Sequence, residues 1–398
     1  MNFLILSLIK AAVVAFVLLT ALAYLQWIER KVIAHIQLRV GPYRVGPHGL
    51  LQPLADVVKL ITKEGVIPSH VNRVFYLMAP WVAVTLALIS IAVIPFGPEI
   101  QIGPIKTWMQ LTDLNIGILF VLAVSSVGVY GVALGGWASN NKYALLGGLR
   151  SSAQMISYEL PLGLAVAAPL LLANTLSFRK MVEYQSGYWL GFIPRWNVIP
   201  EIFGFAVFLI AGFAETNRVP FDLPEAENEL VAGFHTEYSS MKFAAFFMAE
   251  YANMVTVTAV ATLLFLGGWT PPFPEPYSDA IPILVFLIGG LIAFYHGLQP
   301  ARKMDKFTLP ATGLVFLGIA AIFGVSLVPA LAVLKAILMA LFWFCGKIGI
   351  LLFLFIWVRG TLPRFRYDQL MRFAWIFLFP LSVINLLVTS LVVALTSK

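Results

Sequence analysis

FLILSLIKAAVVAFVLLTALAYLQWI, residues 3–28, runs without a break into Glu29, Arg30 and Lys31. A helix needs about 20 mainly apolar residues to cross a bilayer, and this run exceeds that with one charge, Lys10. Ala21-Leu22-Ala23 resembles the cleavage site of a signal peptide. However, the run lacks the positive n-region of such a peptide and is long enough to span, so it reads as a first transmembrane helix.

The same pattern recurs along the chain. Candidate spans fall at about 3–28, 74–96, 114–137, 152–173, 198–213, 242–268, 281–299, 309–334, 336–358 and 373–395. The fifth is short, and the two flanking Lys335 read either as two helices or as one bent unit. Of the 398 residues, 60% are apolar and 11% are charged, against roughly 25% charged in an ordinary soluble domain. The expected class is an all-α polytopic membrane protein. Lys and Arg fix the orientation by their asymmetry. With the N-terminus outside, the inner loops carry Arg30, Lys31, Arg39, Arg44, Lys59, Lys63, Arg73, Lys142, Arg150, Arg218, Lys242, Arg302, Lys303, Lys306, Arg359, Arg364, Arg366 and Arg372, and the outer side has far fewer. The net charge of +7 then reflects this rule rather than a nucleic-acid surface.

Several chemistries are excluded. A lone cysteine, Cys345, permits neither an internal disulfide nor a thiolate cluster. The five histidines form no i, i+4 pair in an apolar segment, which argues against haem and zinc. There is no P-loop and no G-x-G-x-x-G after a strand. No metal site is expected, and any redox cofactor belongs to another chain.

Two inner loops are unusual. In 29–73, Leu50, Leu51, Leu54, Val57, Val58 and Ile61 recur at helical spacing with Asp56, Lys59 and Lys63 between or opposite. That predicts an amphipathic helix in the membrane interface. Gly41-Pro42 and Gly46-Pro47 predict a rigid turn leading back to it, bringing Arg30 and Asp56 to one membrane-level crevice. Arg39 and Arg44 also suit plain snorkelling to headgroups. The second loop, 214–242, is acidic where basic residues are expected, with Glu215, Asp222, Glu225, Glu227, Glu229 and Glu237. It reads either as a capped helix with a solvated acidic face or as coupled carboxylates that exchange protons.

Glu159, Glu250 and Lys347 fall inside spans. Each such charge costs about 2.5–3.5 kcal/mol and is retained for a reason. Low dielectric penalises the charged form of a carboxyl, and a group so placed can take up and release protons near neutrality. The competing reading is a structural ion pair.

At these residues the chain resembles a known family. Glu29-Arg-Lys through Gly49-Leu-Leu-Gln-Pro-Leu-Ala-Asp56, Gly136-Trp-Ala-Ser-Asn-Asn-Lys to Arg150, Ile156-Ser-Tyr-Glu159, Ala214-Glu-Thr-Asn-Arg-Val-Pro-Phe-Asp-Leu-Pro-Glu-Ala-Glu-Asn-Glu229 through Tyr238, Phe247-Met-Ala-Glu-Tyr251 and Arg359-Gly-Thr-Leu-Pro-Arg-Phe-Arg366 are similar to the H-type membrane subunit of proton-pumping NADH:quinone oxidoreductase, respiratory complex I. The mitochondrial equivalent is the ND-one-type chain. The resemblance covers about 1–272 and 336–395.

It implies eight core spans and a bacterial-type inner membrane, with a quinone substrate admitted from the bilayer into a chamber shared with soluble subunits. Iron–sulfur clusters, FMN and NADH would reside in partners on the cytoplasmic face; small and antiporter-like membrane subunits, and lipid, would be the other partners, and nucleic acid none. By matching motif, Arg30, Arg39 and Asp56 fall to quinone binding. Glu29, Glu159, Glu215, Asp222, Glu225, Glu227, Glu229, Glu237 and Glu250 fall to a proton path, with Arg150, Arg218, Lys347, Arg359 and Arg364 as charge partners. Two departures stand out: residues 273–335 read as an inserted helix pair between a core of 1–272 and C-terminal core helices of 336–398, and Ile376 stands where related chains often carry lysine.

Three other readings remain in view. The equivalent subunit of a membrane-bound hydrogenase lacks much of the long acidic motif. A channel or secondary transporter commonly shows inverted repeats and broken helices, which are not found here. A purely structural anchor for a soluble arm predicts that Glu159→Gln and Glu225→Gln leave activity intact.

Overall fold

The structure, a computed structural model, describes residues 3–102, 105–222, 231–299 and 304–396. It is almost wholly helical. In chain order the helices are α1 (Phe3–Ile36), α2 (Gln52–Thr62), α3 (Arg73–Ile91), α4 (Gly117–Ala138), α5 (Lys142–Ala173), α6 (Phe178–Tyr184) and α7 (Ile202–Glu215). They continue as α8 (Ser240–Phe265), α9 (Tyr277–Leu298), α10 (Asp305–Ser326), α11 (Ala332–Thr361), α12 (Tyr367–Arg372) and α13 (Phe379–Thr396), the last two joined by a π-helical turn at Phe373–Leu378. Two short antiparallel hairpins, Glu99–Ile102 with Ile105–Trp108 and Tyr188–Trp189 with Ile193–Pro194, close loops.

Among the described residues nine helices are long and apolar enough to cross a membrane, and α7 is a shorter apolar one. The chain is therefore a multi-pass membrane protein. Helix ends differ from the sequence expectation where charged residues prolong a helix. α1 runs through Glu29 to Ile36, because no Gly or Pro interrupts it before Gly41. α5 begins at Lys142, where the Asn141 side chain accepts from the Tyr143 N–H. The unit around Lys335 is two helices, and its break lies at Leu327–Val328, ahead of Pro329. Lys335 itself is in the first turn of α11, where it meets Asp279 at 2.6 Å and Glu275 at 3.4 Å.

α8 and α5 form the centre. Over half of the most apolar stretch of α8 is buried (56%), against 17% for α9 and for α10. Phe265 of α8 meets Phe205 and Phe208 of α7, and Phe213 of α7 stacks on Phe355 of α11 at 3.7 Å. Two buried hydroxyls on α8 are satisfied within the helix: Thr258 donates to the Met254 carbonyl and Thr262 to that of Thr258. α9 and α10 lie at the periphery and share aromatic contacts with α11, centred on Phe286, Phe323 and Phe342.

A helix end leaves carbonyls without partners, and in a membrane protein they must be met internally. At the end of α8, Gln185 receives the Gly267 N–H at 3.0 Å and donates to the Leu263 carbonyl at 2.8 Å. Lys347 of α11 donates to the carbonyls of Leu266, Gly268 and Thr270 at 2.6, 2.8 and 2.6 Å. Its ammonium also lies 4.2 Å from the Trp196 ring centroid. A cation at this pole also matches the helix dipole.

The interfacial helix is present as α2. Leu54 and Ile61 are each 61% exposed, so its apolar face points outward while Asp56 turns toward α1.

Close packing of α5 supplies a test. A Cβ on Gly147 would meet the Gly233 Cα and the Phe234 N at 2.8 Å, whereas nothing lies within 4 Å of one on Gly163. Backbone cannot yield as a side chain can, so Gly147→Leu should cost about 3 kcal/mol or more. The expected outcome is loss of the chain from isolated membranes on immunoblot, with Gly163→Ala at wild-type level.

Candidate functional site

The expected meeting of Arg30 on α1 with Asp56 on the interfacial helix is formed. Arg30 donates to Asp56 Oδ2 at 2.8 Å, and Gln52 holds the other carboxylate oxygen at 2.9 Å. Arg39 is not part of it; exposed beyond the end of α1, it donates to Gln37 at 2.9 Å.

Deeper in, one guanidinium organises the site. Arg218 follows α7 through Asn217, whose φ of 51° turns the chain. Gln154 of α5 pins this turn by donating to the carbonyls of Ala214 and Phe221 at 2.8 and 2.7 Å. So fixed, Arg218 meets Glu29 of α1 at 2.9 Å and Glu250 of α8 at 2.7 Å, and lies 4.3 Å from the Tyr251 ring centroid. Arg359, at the end of α11, also donates to Glu29 Oε1. Glu29 is 2% exposed and Arg218 is 4% exposed, so neither charge is screened by bulk water. Asp222, a few residues on, is held by Arg364 at 2.8 Å.

A cavity of about 80 Å³ adjoins this cluster, and Glu250, Glu215, Ser90, Ser125, Asn253 and His235 are among its lining residues. A water molecule needs roughly 10–15 Å³ measured this way, so a short file of waters fits. Ser125 hydrogen-bonds Glu215, whose carboxyl is within electrostatic reach of Glu159. Ser126, the next residue, donates to Glu159. The acids of four helices are thus brought together: Glu29, Glu250, Glu215 and Glu159.

Other expected residues lie elsewhere. Glu237 accepts from Asn141 at 2.7 Å near His70. Next to it Tyr238 stacks on Tyr76 at 4.3 Å, and burial, followed by that neighbouring phenol, raises its pKa. Arg150 stands 5.8 Å from the Tyr367 ring. Lys347 meets carbonyls, as described above, rather than an acid of the path, because it serves the end of α8. Glu225, Glu227 and Glu229 lie outside the described residues. Among the described residues no three His, Cys, Asp or Glu gather as metal ligands.

Reading for charges overlooked Gln154, Ser125, Ser126, Asn253 and His235, polar residues in or beside spans and none of them Lys, Arg, Asp or Glu. It also overlooked Glu201, which is 2% exposed and accepts from Asn385 and Thr389 of α13 at 2.7 and 2.5 Å.

Comparison with known proteins supplies the family. A model described as NADH dehydrogenase matches residues 9–390. A protein of Solibacter usitatus, named as H subunit 1 of NADH-quinone oxidoreductase, is 65% identical, covering 100% of this chain and 99% of its own length. The chain belongs to the family of NADH-quinone oxidoreductase H subunits. An H subunit 2 of Koribacter versatilis is 50% identical over 99% of this chain and 98% of its own. One of Geobacter metallireducens is 44% identical over 96% and 94%. The match to the first two runs nearly end to end, so residues 273–335 are not peculiar to this chain. It is a membrane subunit of NADH-quinone oxidoreductase, and other complex I subunits are its partners.

Removing one member of a buried ion pair leaves the other uncompensated, at a cost of roughly 3–5 kcal/mol. Arg218→Met strands two carboxylates, whereas Glu250→Gln keeps a hydrogen-bonding partner for Arg218. Arg218→Met should therefore lower the thermal midpoint of the detergent-solubilised complex clearly more than Glu250→Gln. Equal midpoints would show that Arg218 does not hold the cluster together.

Proposed function

We propose that this subunit forms the membrane part of the quinone chamber and couples quinone reduction to proton translocation along its buried carboxylates. The N-terminus lies outside, in a bacterial-type inner membrane. Soluble iron–sulfur and quinone-module subunits, with FMN and NADH in the soluble arm, cover the cytoplasmic face, and small and antiporter-like subunits continue the membrane arm.

The observation that carries this reading is the continuity from Glu29 through Arg218 and Glu250 to the cavity lined by Glu215, and on to Glu159. A structural set of ion pairs would be sealed; this one opens on a largely apolar cavity into which Glu215, Glu250, Ser90, Ser125 and Asn253 bring polar groups. The position of Arg30 and Asp56 beside the exposed apolar face of α2 supports admission of an amphiphile from the bilayer. Asp222, and with it Glu225, Glu227, Glu229 and Glu237, would collect charge on the cytoplasmic side, Arg364 and Arg150 balancing it and Arg39 assisting at the entrance. Residues 273–335 are an insertion between the two parts of the core.

The chemistry of the path is ion-pair exchange. With all four members charged, Glu29, Glu250, Arg218 and Arg359 sum to zero. A proton arriving at Glu250 releases Arg218 to Glu29, and the excess positive charge favours passing that proton through the cavity to Glu215. Such sites titrate as a coupled set, so a charge change at the chamber is felt at Glu159 without any residue travelling far.

Glu159→Gln and Glu215→Gln provide the test in assembled complex. NADH:quinone reductase and proton pumping should fall together to roughly a tenth or less, because a positioned proton-transfer group contributes on the order of 10²-fold. NADH oxidation by an artificial acceptor at the soluble arm should stay at wild-type rate. Unchanged quinone reduction and pumping in both variants would favour the structural-anchor reading.

A further inference from the structure

Residues 37–51 form a tight loop between α1 and α2. Gly46 and Gly49 have φ of 70° and 78°, and the Leu51 N–H returns to the Val45 carbonyl at 3.2 Å. A Cβ on Gly49 would lie 2.5 Å from the Pro42 carbonyl oxygen. The loop therefore moves as one body with the start of α2.

At its apex is His48, with φ of 51° and the Tyr43 ring edge-on at 5.5 Å. Its Nε2 lies 2.7 Å from Thr308 Oγ1 and 3.3 Å from Asp305 Oδ1, both in the first turn of α10. The Thr308 hydroxyl donates to the Met304 carbonyl at 3.0 Å, which leaves its oxygen as an acceptor. Nε2 therefore carries the proton and donates to Thr308, with the Asp305 carboxylate as a charge neighbour at 3.3 Å. The contact joins segments about 260 residues apart in sequence. At the opposite end of the same helix pair, Lys335 meets Asp279 at 2.6 Å. The α9–α10 pair is thus tied by polar contacts at both ends.

α2 is consequently held from two sides. Asp56 ties it to Arg30 on α1, and His48 ties its leading loop to α10. We propose that the α9–α10 pair sets the geometry of quinone admission, with His48 as the positioning residue that transmits it. This rests on the reading that the chamber opens beside α2. A long isoprenoid tail must pass between these elements, while a short, water-soluble quinone has little tail for them to guide.

The test uses the assembled complex in native membranes with a long-chain and a short-chain quinone. For His48→Ala and for Asp305→Asn/Thr308→Val, KM for the long-chain quinone should rise about fivefold, as expected for loss of one hydrogen bond of ordinary net strength. Its kcat, and both constants for the short-chain quinone, should hold. Thr308→Ser keeps the acceptor and should restore the wild-type KM. Equal change for both quinones, or none for either, overturns the proposal. Asp56→Asn separates the two levels: altered quinone kinetics there with none at His48 refutes the pin alone, and silence at both refutes the chamber reading too. Should His48→Ala fail to assemble, Thr308→Val alone carries the same expectation.

Discussion

A guanidinium taken out of water must be matched, and in this fold most of the inner half of the molecule is arranged around Arg218. Desolvating an ion costs several kcal/mol even after relaxation. Glu29 and Glu250 offset that cost from two different helices, at 2.9 and 2.7 Å, and the face of Tyr251 adds a cation–π contact. Two acids around one cation would leave an excess negative charge, and Arg359 from a third helix removes it. α1, α8 and α11 are thereby held to the turn after α7. The turn is itself fixed from α5 by Gln154, an amide with no charge to desolvate.

The same cost of burial is met in a contrasting way by Lys347. Three carbonyls and an indole ring surround its ammonium, and nothing in that cage can exchange a proton with it at small cost. It completes a helix end. Glu215 and Glu250 instead face a cavity of about 80 Å³ that also bears hydroxyl, amide and imidazole groups. What surrounds a buried charge, more than the fact of burial, decides whether it has a neighbour with which to exchange a proton.

That distinction explains what could and could not be read from the chain. Length and apolarity suffice for nine of the ten expected spans among the described residues, because the bilayer imposes a threshold on any sequence; the fifth, 198–213, falls below it and forms the shorter α7. The meeting of Arg30 and Asp56 was legible because Gly and Pro between them leave few backbone routes. Helix ends were less so: Glu29-Arg-Lys has the polarity of a loop and the propensity of a helix, and packing against Arg218 decided for helix. Lys347 and Glu237 carried the same signal as Glu250, since a charge in or beside a span does not name its partner. Gln154 and Asn253 gave no signal, because an uncharged polar residue is cheap enough in a span to pass unnoticed until the fold assigns it a neighbour.

The brevity of α7 ties these features together. Fourteen residues rise about 21 Å at 1.5 Å each, well short of a hydrocarbon core of about 30 Å. The helix is therefore too short for a full crossing, and the turn that follows it keeps Arg218 and Asp222 buried within the protein. Irregular backbone in a membrane is tolerated only where protein or a polar cavity surrounds it, and α1, α5, α8 and α11 provide that surround. A helix two turns longer would carry the same residues into bulk water, where the pairs with Glu29 and Glu250 would be screened and contribute little. The shortfall is thus what turns an acidic loop into a buried, coupled set of charges.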